Sequence, residues 1–200
     1  AEDGADFADE VRRCTGLAVE ILSGDEEARL SYLGALQTLP PTARDKGVVI
    51  FDIGGGSTEL AEGRDAGPER SLSLPLGARV LTEGFLPSDP VTDGERRRLR
   101  GFLAEALEEV WTPAAGAEVL GIGGSVTTLG ALWHRLEVYD PDRVGGTRLE
   151  SAEIRRLADR LAALPVRRRA ELPGLEAGRA EIILAGCEIA LAVLDRLGRT

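Results

Sequence analysis

The stretch Val48-Val-Ile-Phe-Asp-Ile-Gly-Gly-Gly-Ser-Thr-Glu-Leu60 constrains the fold of this chain more than any other. The unbroken apolar run Val48 to Phe51 predicts a strand buried on both faces, not one that alternates between core and water. It meets a carboxylate at Asp52 and then Gly54, Gly55 and Gly56. Glycine reaches backbone angles closed to other residues, and without a Cβ it lets a bulky anion approach backbone N–H groups. Ser57 and Thr58 add hydroxyl donors, and Thr58 to Glu62 alternates like a returning strand. The whole reads as a hairpin with an anion-sized notch at its tip and a carboxylate beside it. A triglycine alone also suits a plain turn. Two features weigh against that: a structural turn needs no charge at the end of a buried strand, and a second glycine loop occurs at Gly121-Ile-Gly-Gly-Ser125.

The flanking sequence supplies supports for these two loops. Asp6 to Thr15 carries Phe7, Val11 and Cys14 at helical spacing, with Gly16 as a stop, and Leu17 to Leu22 alternates like a short strand. Glu26 to Leu39 forms an amphipathic helix after Ser23-Gly24-Asp25, with Asp25, Glu26 and Glu27 in its first turn, where the helix dipole favours acids. The polar loop Pro40 to Gly47 feeds the central strand, and Ser71 to Leu76 returns as a third, antiparallel strand. Helices follow over Gly77 to Leu86 and from Thr92 or Asp93 through Val110. Val119-Leu120 is a brief strand entering the second glycine loop, and Val126 to Leu136 continues as a helix. That order presents free N–H groups and a positive dipole end to an anion. Asp140 to Gly146 reads as a loop, Ser151 as the cap of a helix through Leu164, and Arg179 to Leu197 as a helix apolar on nearly all sides. The basic runs Glu95 to Arg98 and Arg167 to Arg169 read as solvated faces.

Composition excludes several classes of function. His134 is the only histidine, which removes a histidine metal cluster within the chain. Cys14 and Cys187 lie far apart, with no metal-ligand spacing, and read as small buried or half-buried thiols. A net charge of −10 repels nucleic acid and acidic membranes. No apolar run nears the roughly 18 residues that span a bilayer, so the expected location is the cytoplasm. The chain contains no methionine and opens on Ala1, and it reads as a piece of a longer protein.

Two glycine loops, a hairpin-borne aspartate and helices after the sheet resemble half of the actin-like, ribonuclease-H-like phosphotransferase fold. Ile21-Leu-Ser-Gly-Asp-Glu-Glu-Ala-Arg-Leu30, Phe51-Asp-Ile-Gly-Gly-Gly-Ser-Thr-Glu59 and Gly121-Ile-Gly-Gly-Ser-Val-Thr-Thr-Leu129 are similar to segments of the Ppx/GppA phosphatase family, the exopolyphosphatases and guanosine pentaphosphate phosphohydrolases. Leu74-Pro-Leu-Gly-Ala78 and Arg179-Ala-Glu-Ile-Ile183 fit the same pattern. The fold class implied is α/β, a ribonuclease-H-like domain of the actin-like ATPase superfamily: a mixed central sheet with antiparallel hairpins, flanked by helices. The Asp-x-Gly-Thr/Ser-Asn loop of the family's first domain has no match here. The resemblance therefore implies a helix left from a preceding domain over residues 1–16 and the second actin-like domain over 17–200.

By the same resemblance Glu27 activates the attacking water, and Asp52 holds Mg²⁺ or another divalent cation and positions that water. Gly54, Gly55, Gly56 and Ser57 hold phosphates together with Gly123, Gly124 and Ser125, while Glu59 supports the metal. The implied reaction is hydrolysis of terminal phosphoanhydride bonds of inorganic polyphosphate, with guanosine pentaphosphate as a second substrate. This chain would supply one half of the cleft, the missing first domain or a homodimer partner would complete it, and the fragment alone would be inactive. Such a reaction needs a placed water and donors around developing charge more than covalent help. Two alternatives stay open at this point. One is an ATP-dependent sugar or acid kinase of the same fold, against which the Glu26-Glu-Ala-Arg29 motif speaks. The other is a non-catalytic module that binds phosphate or nucleotide.

Overall fold

A computed structural model describes residues 4–40 and 44–199. Pro41, Thr42 and Ala43 of the expected polar loop, and residues 1–3 of the expected first helix, lie outside the described residues. Helix α1 (Gly4–Thr15) is followed by an unpaired stretch and then α2 (Gly24–Leu36). Strands β1 (Val48–Ile53), β2 (Thr58–Arg64) and β3 (Gly67–Leu74) come next, then helices α3 (Ala78–Phe85) and α4 (Asp93–Ala106). Strand β4 (Glu118–Ile122) leads into α5 (Gly123–His134). Short helices α6 (Pro141–Val144) and α8 (Val166–Arg169) flank α7 (Ser151–Ala162), and α9 (Ile183–Arg196) ends the described chain.

The sheet has the order β3-β2-β1-β4. β1 pairs antiparallel with β2 and parallel with β4, so the sheet is mixed, as the fold class requires. Because side chains alternate along a strand, β1 divides its residues between two cores. Val48 and Ile50 pack with Ala61 against Tyr32, Ala35 and Leu36 of α2. Val49, Phe51 and Ile53 join the larger core built by α3, α4, α5, α7 and α9 on the opposite face. That is why β1 is apolar throughout until Asp52, which falls on the α2 face.

Ser23 caps α2 from an extended conformation and exchanges hydrogen bonds with Glu26, forming a capping box. The cap fixes the first turn, and with it the direction of Glu27. Helix α9 is buried along nearly its whole length, as expected, and packs against α7, α3, α5 and α4.

Several expectations are corrected. Leu17 to Leu22 is not a strand: among the described residues nothing pairs with it, and Leu17, Ile21 and Leu22 are exposed. Helix α1 forms but buries none of its residues, so Phe7 is exposed and Cys14 is an exposed thiol; Cys187 is buried. Asp140 to Gly146 contains the one-turn helix α6, because the Asp140 side chain accepts from the N–H groups of Asp142 and Arg143. Ser151 is the first helical residue of α7 rather than its cap; Glu150 holds that position, its N–H bonded to Glu153 at 2.8 Å.

The basic runs are not simply solvated. Arg96 is buried between Glu188 (Nε to Oε1, 3.0 Å) and Asp159 (2.9 Å), and Arg100 makes a second fork onto Glu188. Arg169 is 1% exposed, its Nε donating to the carbonyls of Leu161 and Leu164 where α7 ends. Those are orphan groups of a helix terminus, which an arginine can satisfy.

Candidate active site

The site is a row of side chains crossing the sheet at the end of β1. Pairing sets Asp52 opposite Glu59, Glu59 opposite Ser73, and Asp52 beside Ile122. Cross-strand neighbours share a face, so Asp52, Glu59 and Ser73 all lie under α2. Glu59 is buried and accepts a hydrogen bond from Ser73 Oγ at 2.8 Å. Gly24 opens α2 directly over this row: a Cβ there would sit 3.1 Å from Ser73 Cβ. Two turns on, Ser31 Oγ donates to Asp52 Oδ2 at 3.4 Å, and Glu27, four residues earlier, shares that helix face.

Burial pushes the pKa of Asp52 up from its ordinary value, and the negative charges of Glu59 and Glu27 push the same way; only the Ser31 hydroxyl opposes them. No cation acts on Asp52 among these influences. The structure thus brings Glu27, Asp52 and Glu59 together from three elements, with Glu27 exposed to solvent. Among the described residues no three acidic, histidine or cysteine side chains form a ready metal cage.

Two glycine turns flank Asp52. In the hairpin turn, Gly55 and Gly56 are exposed, and none of Gly54, Gly55 and Gly56 has a positive φ. A Cβ on Gly54 would lie 3.2 Å from Ser57 O, whereas Gly55 and Gly56 have room for one. Gly77, at the start of α3, packs so tightly that a Cβ on it would lie 2.1 Å from the Gly55 carbonyl oxygen. Ala78 N–H donates to Gly54 O, and Arg79 N–H to Gly55 O. A trans peptide points its C=O and N–H in opposite directions, so these bonds aim the Gly55 and Gly56 amides away from α3. Gly54 itself is lost as a donor, because its N–H is bonded to Ser57 O at 2.9 Å. Gly55, Gly56 and Ser57 keep backbone N–H groups with no partner among the described residues.

The second turn meets the first at Asp52. Gly123 has φ +84°, and a Cβ there would fall 2.2 Å from Asp52 Oδ1. Only glycine combines that left-handed angle with so close an approach. Helix α5 begins here with no side-chain cap, leaving its first N–H groups available. Ser125 does not offer its hydroxyl: the side chain is 3% exposed and turned into the core, where Gly186 of α9 makes room for it. Its backbone alone remains at the turn.

Sequence reasoning assigned no role to Arg179, Ser31 or Ser73. The guanidinium of Arg179 lies on the second turn, where a Cβ on Gly124 would be 2.1 Å from its Nη1, while Nε donates to Glu176 at 3.3 Å. The Arg179-Ala-Glu-Ile-Ile183 segment stood out in the sequence, but its position against Gly124 depends on how α9 docks.

A mixed sheet with a carboxylate held between a hairpin turn and a strand-to-helix turn defines an α/β domain of the actin-like, ribonuclease-H-like fold. The chain belongs to the Ppx/GppA phosphatase family, whose sequence profile matches it over residues 1–200. Exopolyphosphatase 1 of Mycobacterium tuberculosis is 36% identical over 203 residues, covering 98% of this chain and 58% of that protein. Exopolyphosphatase 2 of the same organism is 35% identical over 191 residues, covering 92% of this chain and 59% of that one. The crystal structure of the Aquifex aeolicus family member superposes with a TM-score of 0.88 at 35% identity, covering 100% of this chain and 64% of that one. The chain therefore spans roughly three fifths of the length of these exopolyphosphatases.

Proposed function

We propose that this chain forms one wall of an active site that hydrolyses terminal phosphoanhydride bonds, with inorganic polyphosphate as substrate and guanosine pentaphosphate as a second one. The observation that carries the reading is the convergence of Glu27 on Asp52 between two turns with free backbone donors. The amides of Gly55, Gly56 and Ser57, with Arg179 opposite, cradle the terminal phosphoryl oxygens and favour the charge that develops on them. Glu27, exposed at the first turn of α2, accepts the proton of the attacking water. The Ser31 hydroxyl holds Asp52 in place.

The donor set fits a hard divalent cation. Asp52 and Glu59 are paired carboxylates that no arginine or lysine neutralises among the described residues, and Mg²⁺ typically takes one or two carboxylates plus substrate phosphates rather than a full protein cage. Asp52 would hold the ion and Glu59 would support it; when bound, the ion supplies neutralisation of phosphoryl charge.

The domain reading is part of the proposal: residues 17–200 are a second actin-like domain, and residues 1–16 are a helix belonging to a preceding one. It is supported by α1, which buries nothing, and by the exposed Phe7, Leu17 and Ile21 beside it. The test is phosphate release from polyphosphate with Mg²⁺, on the complete protein that carries this chain. Glu27→Ala and Asp52→Ala are each expected to lower turnover by about 10²–10⁴-fold. Near-normal release by both variants would refute the assignment. The 200 residues alone are expected to fold and to turn over little substrate; brisk hydrolysis by them would refute the division of the cleft.

A further inference from the structure

Two arginines are buried among the described residues, and they are held in different ways. Arg96 is paired with carboxylates, whereas Arg169, the last residue of α8, meets backbone carbonyls alone. Its Nε donates to Leu161 O at 2.7 Å and Leu164 O at 3.0 Å, and its Nη1 to Ala180 O at 3.5 Å. Nη2 is buried with no partner. Burial pushes the pKa of Arg169 down, and the charges of Asp89 and Cys187 oppose that shift.

Capping the end of α7 does not require such a group. Nε alone serves both carbonyls there, and a lysine could meet them with one compact donor head. What the guanidinium fork adds is a second arm, which reaches eleven residues along the chain to Ala180.

That arm closes a loop. Residues 170–179 leave α8 and return to the side chain from which they started. In mid-loop Gly174, at φ +92°, passes so close to α5 that a Cβ would overlap the Ala131 carbonyl. A single 3-10 turn, Ala177–Arg179, then delivers the chain to Ala180, which is wholly buried. Arg179 is therefore the residue just before the clamped carbonyl, and its guanidinium lies on Gly124 of the second glycine turn. Among the described residues that side chain otherwise bonds only Glu176, in a surface pair of a kind worth about 0–1 kcal/mol.

We propose that Arg169 is a positioning residue: by tying Ala180 to the end of α7 it holds the Arg179 guanidinium at the second glycine turn, an inference that rests on the phosphoryl role of Arg179 given above. At 1% exposure Arg169 does not touch substrate itself. Its leverage comes from geometry, since a shift of about 1 Å in a charge clamp can cost about 10²-fold in rate.

Phosphate release from polyphosphate and backbone amide exchange, both on the complete protein that carries this chain, test it. Arg169→Lys keeps the charge and a donor for the end of α7 but loses the arm to Ala180. It is expected to speed exchange over residues 177–182, where Ala180 and Ile182 N–H groups bond Ala177 and Arg179 carbonyls. At temperatures where the variant stays folded, kcat/KM is expected to fall about tenfold or more. In an Arg179→Ala background the same change is expected to alter kcat/KM by less than about twofold, because the two residues act as one unit. Glu176→Gln, at the surface pair, is expected to leave kcat/KM within about twofold. Unchanged exchange, or an equal loss in both backgrounds, overturns the positioning role. So does a loss from Glu176→Gln that approaches the loss from Arg179→Ala, an outcome readable even if Arg169→Lys does not fold. Faster exchange with kcat/KM untouched by Arg169→Lys and by Arg179→Ala alike leaves the loop closure standing and overturns the phosphoryl role of Arg179.

Discussion

The chain holds two clusters of carboxylates, and they are treated in opposite ways. On the larger-core side of the sheet, Glu188 is 1% exposed, and arginines fork onto it from two positions of α4, with Asp159 also accepting from Nη2 of Arg96. On the α2 side, Asp52, Glu59 and Glu27 gather with hydroxyl groups as the partners of Asp52 and Glu59 and no cation among the described residues. Burying an unpaired charge costs several kcal/mol, so folds normally pair it or avoid it. The first cluster obeys that rule and ties α4 to α7 and α9. The second violates it beside two turns with free N–H groups, the pattern expected where a cation and an anion are to be received together.

Changes to the two clusters should therefore behave differently. The largest effect belongs to Glu188→Ala, which strands two arginines: about 3–5 kcal/mol of stability is expected to go, lowering Tm by some 10 °C in thermal unfolding. A change of less than 1 kcal/mol would show that the arginines find other partners and that the cluster is not the structural one. Next comes Gly123→Ala, where positive φ costs about 1–2 kcal/mol and the new methyl displaces the Asp52 carboxylate. Turnover of the complete protein should fall much further than its stability does.

Asp52→Asn should move the other way. The folded-state pKa of Asp52 is raised, so at neutral pH its ionised form is disfavoured by folding, and removing the charge is expected to raise Tm while abolishing turnover. A fall in Tm would mean that the acidic row is stabilised by something not visible in its partners. The smallest effect sharpens the contrast with a third buried carboxylate. Glu95 is neutralised by dipoles alone, accepting from the backbone and hydroxyl groups of Thr92 and Ser88, and its pKa is lowered to about 2. Its contribution is present above the ordinary value of 4.5 and is lost as pH falls from there toward about 2. Chemical denaturation of Glu95→Gln across that window should show a shallower loss of stability on acidification than the unaltered chain.

The same contrast explains how much could be read from sequence. β1, its hairpin and Asp52 were legible because the burial pattern is local: two cores share one strand, so the apolar run is unbroken until the carboxylate. The cap of α2 went unread although its partners lie three residues apart: the helix was expected to start at Glu26, whereas Ser23 caps it and Gly24 opens it. Arg96 and Arg169 were misread as solvated because their partners are distant or invisible to pattern: Glu188 lies on α9, and the acceptors of Arg169 are backbone carbonyls. The stretch from Leu17 to Leu22 alternates like a strand but has no strand neighbour among the described residues. At the candidate site, Asp52 and Glu27 were singled out through motifs. The inward turn of Ser125 and the position of Arg179 follow from the docking of α9, which no spacing encodes.

The mixed pairing of β1 sets an order of assembly for the pocket. The hairpin turn closes over only the residues between Ile53 and Thr58, whereas Gly123 reaches Asp52 only after the chain has made a long excursion through α3 and α4 and returned as β4. Short loops close at small entropic cost and long ones at greater cost. A nascent chain would accordingly carry its acidic hairpin early, still lacking its opposite lip, and would gain a competent pocket only when the late parallel strand docks.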